Sequence, residues 1–315
     1  MILRAFVCLS CATMSINSMA QEPAFTTGLA KEIHPGLFDC GSRSRASAVG
    51  EIASDDGRVW TVPAATHYGK VPFAADLFNE CGGVELKSLS QLDLDSVPLM
   101  DAGGDEAFVA YIFADNYFEL YVNGKLLAVD PVPFTKFNSN VVRFTAERPV
   151  TIAVMMVDWE ENLGLGSENN RGKRFHPGDG GFVAHFQDDS GNTVAITDSS
   201  WKAQTFYTAP LNSRDCLVVN GQSRDSSACD DSGVDDATGY SAAHWEQPGD
   251  WMMPGFDDSI WPAAVTFTNE TVGVRNKSAF TNFEDVFDAA GADADFIWSS
   301  NLVLDNLVLL RKTVE

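Results

Sequence analysis

The chain has 315 residues, 45% of them hydrophobic, enough to bury a sizeable core in one large β domain or two small ones. Its 44 Asp and Glu outnumber 21 Lys and Arg, for a formal charge of -23. The acids are spread along the chain instead of forming a disordered acidic tail, and the balance argues against nucleic acid or an anionic membrane surface as partner, since both need a basic face. It suits solubility, salty surroundings or a cation.

The first residues read as a signal peptide. Arg4 precedes an apolar run, Ala5 to Leu9, and Ser18-Met19-Ala20 fits small-x-small cleavage before Gln21, so residues 1–20 are expected to be removed on export. Cys11 raises a lipid anchor, but Cys8 stands where that motif calls for Leu, and the unanchored exported form is the expectation. No later run reaches the roughly 20 apolar residues that span a bilayer. A secreted or periplasmic protein follows.

Residues 21–58 are polar and weakly periodic and read as an exposed lead-in to a domain over 59–312, which opens with the extended run Val59-Trp60-Thr61-Val62. Between Phe73 and Leu86, the spacing of Ala74, Ala75, Leu77 and Phe78 predicts a short helical turn ended by Cys81-Gly82-Gly83. Strand signals dominate beyond it. Phe108 to Phe113 is a buried-strand pattern; Tyr117 to Val122 runs into Asn123-Gly124, a strong hairpin signal, and Lys125 to Val129 returns. Further strands are expected at Val141–Phe144, Val150–Val157, Phe182–Phe186, Thr193–Thr197, Ala263–Thr268, Phe296–Ser299 and Leu307–Lys312. Many short strands with Gly, Asp, Asn and Pro between them predict an all-β, antiparallel β-sandwich with long loop insertions. The insertions are 158–181 and 216–250, and loops of that length are usually functional or disordered.

Without residues 1–20, four cysteines remain: Cys40, Cys81, Cys216 and Cys229. An even count in an exported chain favours disulfides, and four cysteines allow three pairings. Cys216 with Cys229, closing a loop rich in Gly, Ser and Asp, and Cys40 with Cys81 are the expected pairs. No CxxC pair is left to favour metal ligation by thiols.

Two phrases nearly repeat: Asp198-Ser199-Ser200-Trp201 and Asp258-Ser259-Ile260-Trp261. Asp and Ser accept backbone hydrogen bonds in turns, and the Trp brings a large apolar surface to bury, so each phrase is a turn that pins an aromatic. Taken with Ala114 to Lys125, with Trp251 and Phe256 to Ala264, and with the closing run Phe296-Ile297-Trp298 to Leu310-Arg311, the chain resembles the galactose-binding-like jelly roll. Accessory domains of rhamnosidases and of β-galactosidase-type glycoside hydrolases have similar phrases. The resemblance covers about Trp60 to Lys312. It implies a fold that hosts carbohydrate binding, protein or lipid contact and purely structural roles, and that often holds a structural calcium. Trp201 and Trp261 read as scaffold, which leaves function to the loops.

Sugar recognition needs an aromatic face and convergent carboxylates, amides or guanidinium groups. Asp158, Trp159, Glu160, Glu161 and Asn162, followed by Arg171 and Arg174, supply these at the end of a core strand; His244, Trp245 and Glu246 with Trp251 form a second cluster. Calcium would take oxygens from Asp225, Asp230, Asp231, Asp235 and Asp236, although their spacing is not that of an EF-hand. Copper or zinc would call on His67, His176, His185 or His244, but there is no HExxH or HxH. GxSxG, GxxxxGKS/T and strand-to-helix GxGxxG motifs are absent, and Gly164-Leu165-Gly166-Ser167 lacks the following helix that phosphate cradling needs. Asn269-Glu270-Thr271 and Asn276-Lys277-Ser278 are sequons if the host glycosylates. The expected function is non-catalytic glycan binding outside the cytoplasm. The alternatives are an exported metal-binding protein for calcium, copper or zinc, and an adhesive or structural surface module.

Overall fold

Asn123 and Gly124 both take left-handed backbone, with φ of 48° and 82°, the conformation that folds two strands back on each other through a two-residue turn. In the computed structural model, which describes residues 21–42 and 44–315, that turn joins Tyr117–Val122 to Lys125–Val129. The expected signal peptide and Cys11 lie outside the described residues.

The hairpin forms one end of a seven-stranded antiparallel sheet. From it the order runs through Val150–Val157, Asp305–Val314, Lys202–Leu211 and Ser241–His244 to Ala24–Thr27. A second, nine-stranded sheet is built around Gly181–Asp188, Glu106–Asp115 and Ser139–Ala146, all antiparallel. Leu99–Asp101 joins it in parallel to Ser139–Ala146. The two sheets pack as an all-β sandwich, with Ile152, Val154, Met156, Phe118, Leu120, Val308 and Leu310 sharing a buried core with Phe113, Phe182 and Phe186.

Every residue of Val150–Val157 is buried, which explains its unbroken apolar run. The alternate set, Ala153, Met155 and Val157, packs into a second core with Tyr117, Tyr121, Phe206, Leu307 and Leu309 on the opposite face. Trp159, Trp245, Trp251 and Trp261 complete that second layer. The supposed lead-in belongs to it. Ala24–Thr27 pairs with Ser241–His244, and Glu32–Ile33, Gly50–Ala53 and Val59–Val62 form a small sheet that buries Ile52 and Val62. Its polar composition is that of a cover with one face in water.

The helical turn expected in 73–86 is instead a pair of strands, Ala75–Asn79 and Val84–Glu85, and the first pairs with Ser139–Ala146. The Asn79 side chain accepts the N–H groups of Cys81 and Gly82, so a local turn competes with the helix while strand pairing buries Leu77 and Phe78. The two long insertions also hold more pairing than their sequences suggest. The first contains the hairpin Glu168–Asn170 with Lys173–His176. The second contains Val218–Asn220 with Ser223–Asp225 and contributes Ser241–His244 to the first sheet.

Cys40 is bonded to Cys81 and Cys216 to Cys229, as expected. In both repeated phrases the Trp N–H donates to the Asp carbonyl three residues back, and both rings are buried. Among the described residues no helix is long and apolar enough to cross a membrane.

Candidate functional site

Three strand ends meet at one edge of the sandwich. In the first sheet Val157 lies opposite Tyr117, and in the second Gly181 lies opposite Asp115. The chain passes from one sheet to the other through Asp115 and Asn116, so this register gathers Asp115, Asn116, Asp158 and Asp179 from distant parts of the chain. With Arg45, Phe134, Phe137, Asn170, Arg171, Gly178 and Lys277 they line a cavity of about 310 Å³.

Local hydrogen bonds hold the wall in place. The Asn116 amide donates to Asp115 Oδ1 at 2.7 Å, and its Oδ1 accepts the Trp159 N–H at 2.5 Å. The Asp158 N–H donates to the Asn306 carbonyl at 2.9 Å. Behind the wall, Glu160 Oε1 accepts the Gly178 N–H at 2.9 Å. A Cβ at Gly178 would stand 2.9 Å from that oxygen and 3.6 Å from Asp158 Oδ1, so the glycine lets the chain pass between the two carboxyls.

Four carboxyls in one buried region resist ionisation. Burial, and then the field of Asp179, pushes Asp115 well above the usual carboxylate range. Asp158 is raised by burial and then by Glu160. Burial lifts Glu160 to about 8 and Asp179 to about 6. Asp158 Oδ2 and Glu160 Oε2 have no hydrogen-bond partner, although both residues are only 2% exposed. The Tyr207 hydroxyl and Asn306 Oδ1 are also unpartnered, and the fields of Glu160 and Asp158 add to burial in raising the Tyr207 phenol. The cations at the rim, Lys277 and Arg45, temper the rise at Asp115 through their fields, but each has a nearer partner. Arg45 pairs with Glu168 and reaches Glu161 at 3.9 Å, and the Lys277 ammonium lies 4.1 Å from the centre of the Phe137 ring.

Of the residues expected from sequence, Asp158 and Arg171 line this cavity, and Glu160 lies behind its wall. Arg171 lies on the rim, at the turn of the Glu168–Asn170 and Lys173–His176 hairpin. Trp159 does not offer a sugar platform. It is 1% exposed, edge-on to Tyr117, with its indole N–H donated to the Ala48 carbonyl, because the chain turns inward where the strand ends. Glu161 and Asn162 brace the hairpin: Glu161 accepts the Asn169 N–H, and the Asn162 amide donates to the Arg174 carbonyl.

Arg174 lines a separate cavity of about 290 Å³ with Lys173, His176, Asp231 and Asp235. Asp231 and Asp235 therefore face cationic side chains. Asp225, Asp230 and Asp236 each accept the N–H two residues ahead, at Ser227, Ser232 and Thr238. These are turn bonds, which explain the acidic run without calcium. Among the described residues no three His, Cys, Asp or Glu side chains are placed to hold a metal ion.

His244 and Trp245 do come together, beside a cavity of about 350 Å³ that Trp60 also lines. Both are buried. His244 is stacked by Trp60 at 5.1 Å and Tyr207 at 4.7 Å, and burial lowers it to about 3, which keeps the ring neutral. Trp245 donates its indole N–H to the Gln21 carbonyl. His185 is bonded to the Val286 carbonyl and Thr193, and His67 pairs with the buried Glu119, so the histidines do not converge.

Sequence reasoning missed Asp115 and Asp179. Each reads as a turn residue, but each also abuts an apolar strand: Phe108 to Ala114 before Asp115, and Gly181 to Phe186 after Asp179. An acid at the mouth of a buried strand was the available signal. No family model, curated protein or solved structure matches the chain.

Proposed function

We propose that the chain is an exported carbohydrate-binding protein of galactose-binding-like type, and that its ligand occupies the carboxyl-lined cavity at the strand ends. One observation carries the reading: Asp115, Asp158 and Asp179, the Asn116 and Asn170 amides, and Arg171 converge there beside Phe134 and Phe137. Sugars require this mixture of donors, acceptors and apolar surface. A carboxyl that keeps its proton donates to one hydroxyl while its other oxygen accepts from the next. The two disulfides fit an oxidising compartment, which supports export.

The test is retention of the purified protein on a glycan array and on insoluble polysaccharides. Asn170→Trp, on the half-buried rim, is expected to plug the cavity and abolish retention without changing the melting temperature. Unaltered retention in that variant, or no retention of the unsubstituted protein on any glycan, overturns the reading.

A further inference from the structure

Gln21, the residue that follows the expected cleavage point, is held by two of its atoms and left free at two others. Its main-chain carbonyl accepts the Trp245 indole N–H at 3.0 Å, and its side-chain Oε1 accepts from Arg224 Nη2 at 3.2 Å. Its main-chain nitrogen and its Nε2 make no hydrogen bond to a described residue. Just beyond, Ala24–Thr27 is paired along Ser241–His244, so the sheet fixes the chain close to this point.

Arg224 is an uncommon partner for a neutral amide. It is 4% exposed and lies 4.3 Å from the centre of the Phe206 ring and 4.7 Å from that of Trp245. Its Nη1 donates to the Thr205 carbonyl at 2.5 Å, which fixes the plane of the guanidinium. Among the described residues no Asp or Glu pairs with it. Burial lowers it to about 9, with no acidic field to oppose the change. A buried cation ordinarily has a carboxylate beside it. Here the charge is directed at an amide oxygen.

We propose that Gln21 is a modification site: once residues 1–20 are removed, its α-amine closes on its own side-chain amide to give a pyroglutamyl lactam, promoted and then held by Arg224. This rests on the export reading and adds a chemical end to the mature chain.

The atoms that the fold holds are those the product keeps. In the closure the uncharged α-amine nitrogen attacks Cδ, the N–Cδ bond forms and the Cδ–Nε2 bond breaks. Nε2 leaves as ammonia with one hydrogen taken from the amine, so no oxidant or other reactant is needed. Negative charge gathers on Oε1 as the amine adds, and a fixed donor to that oxygen stabilises it. Oε1 then becomes the lactam oxygen, and the main-chain carbonyl is unchanged, so both present hydrogen bonds can persist. Only the two unbonded nitrogens are altered. An open α-ammonium would instead put a second cation on the residue that already meets Arg224, and a neighbouring cation favours the uncharged amine that attacks.

The test is the intact mass, with peptide mapping, of the full chain expressed in an exporting host and recovered outside the cytoplasm. The expected product spans residues 21–315, is lighter than that sequence by one ammonia, and resists N-terminal sequencing until pyroglutamyl aminopeptidase is applied to the unfolded chain. A chain that starts at Gln21 with an open amine, or at any other residue past the leader, overturns the inference and leaves export standing. A chain that retains residues 1–20 removes both. The part assigned to Arg224 is read from Arg224→Met, collected soon after export, with its melting temperature as the check on folding. Closure is expected to slow by about tenfold or more on loss of the donor, and a folded variant that closes at the unsubstituted rate overturns that part. Should the variant not fold, the open fraction of the unsubstituted protein is followed in native buffer and in urea. Equal rates in the two would count against promotion by the fold.

Discussion

Replacing Glu160 by Gln is expected to change the sign of its effect on stability with pH. Burial raises the carboxyl from its ordinary 4.5 to about 8. Below the ordinary value both folded and unfolded chains hold the proton, and the group adds no pH dependence. Between the two values the folded chain keeps a proton that the unfolded chain releases, so stability falls as pH rises, and above about 8 the loss is complete. At 1.36 kcal/mol per pKa unit the full loss is on the order of 5 kcal/mol. Glu160 is only 2% exposed, so solvent screening takes little from that figure. Gln cannot ionise and escapes the loss, while its carbonyl can still accept the Gly178 N–H that Oε1 accepts now. Its amide NH2 would put two donors where the unpartnered Oε2 carries at most one, and the added unpartnered donor costs about 1–3 kcal/mol at every pH. Glu160→Gln should therefore be the less stable protein at about pH 5 and the more stable by a few kcal/mol at about pH 9. Urea unfolding across that range, with the denaturant slope checked for constancy, measures the difference. A gap between the two proteins that does not vary with pH would refute the reasoning, because the carboxyl would then not be titrating inside the fold.

Other expectations follow from the same geometry. Trp159→Ala should cost about 3–5 kcal/mol by chemical denaturation, since it empties a site in the second core and removes an indole hydrogen bond; a change below about 1 kcal/mol would place the ring at the surface. Replacing Cys216 and Cys229 by Ser should cost about 2–4 kcal/mol through the freed 13-residue loop, and equal stability of the two proteins would count against that closure entropy. Calcium should leave the melting temperature unchanged, because Asp225, Asp230 and Asp236 are committed to their own turns; a rise that saturates with calcium would contradict this.

The scaffold was legible where local chemistry and tertiary structure agree. Asn123-Gly124 supplies the left-handed turn, the Val150–Val157 run is buried on both faces, and the two Asp-Ser-x-Trp phrases bury their rings. The pairing of the four cysteines was legible too. In 73–86 helical spacing misled, because strand pairing with Ser139–Ala146 outweighs a four-residue apolar pattern. The loop after Val157 reads in sequence as an aromatic platform, and its ring turns inward instead. Alternation stops specifying direction once a strand ends, so nothing local shows that Trp159 turns inward while Asp158 lines the cavity. Asp115 and Asp179 meet only through the register of Gly181 against Asp115, which no short window contains.

The hairpin that carries Asn170 and Arg171 pairs only with itself and joins neither main sheet. The carboxyls opposite it stand at the ends of strands locked into the sandwich. The site is thus divided between a floor that cannot vary without disturbing the sheets and a rim that can. Exchange of the nine hairpin residues, 168–176, would alter what the rim presents while the floor beneath stays the same, which makes that segment the natural place for selection, or for a designed library, to act.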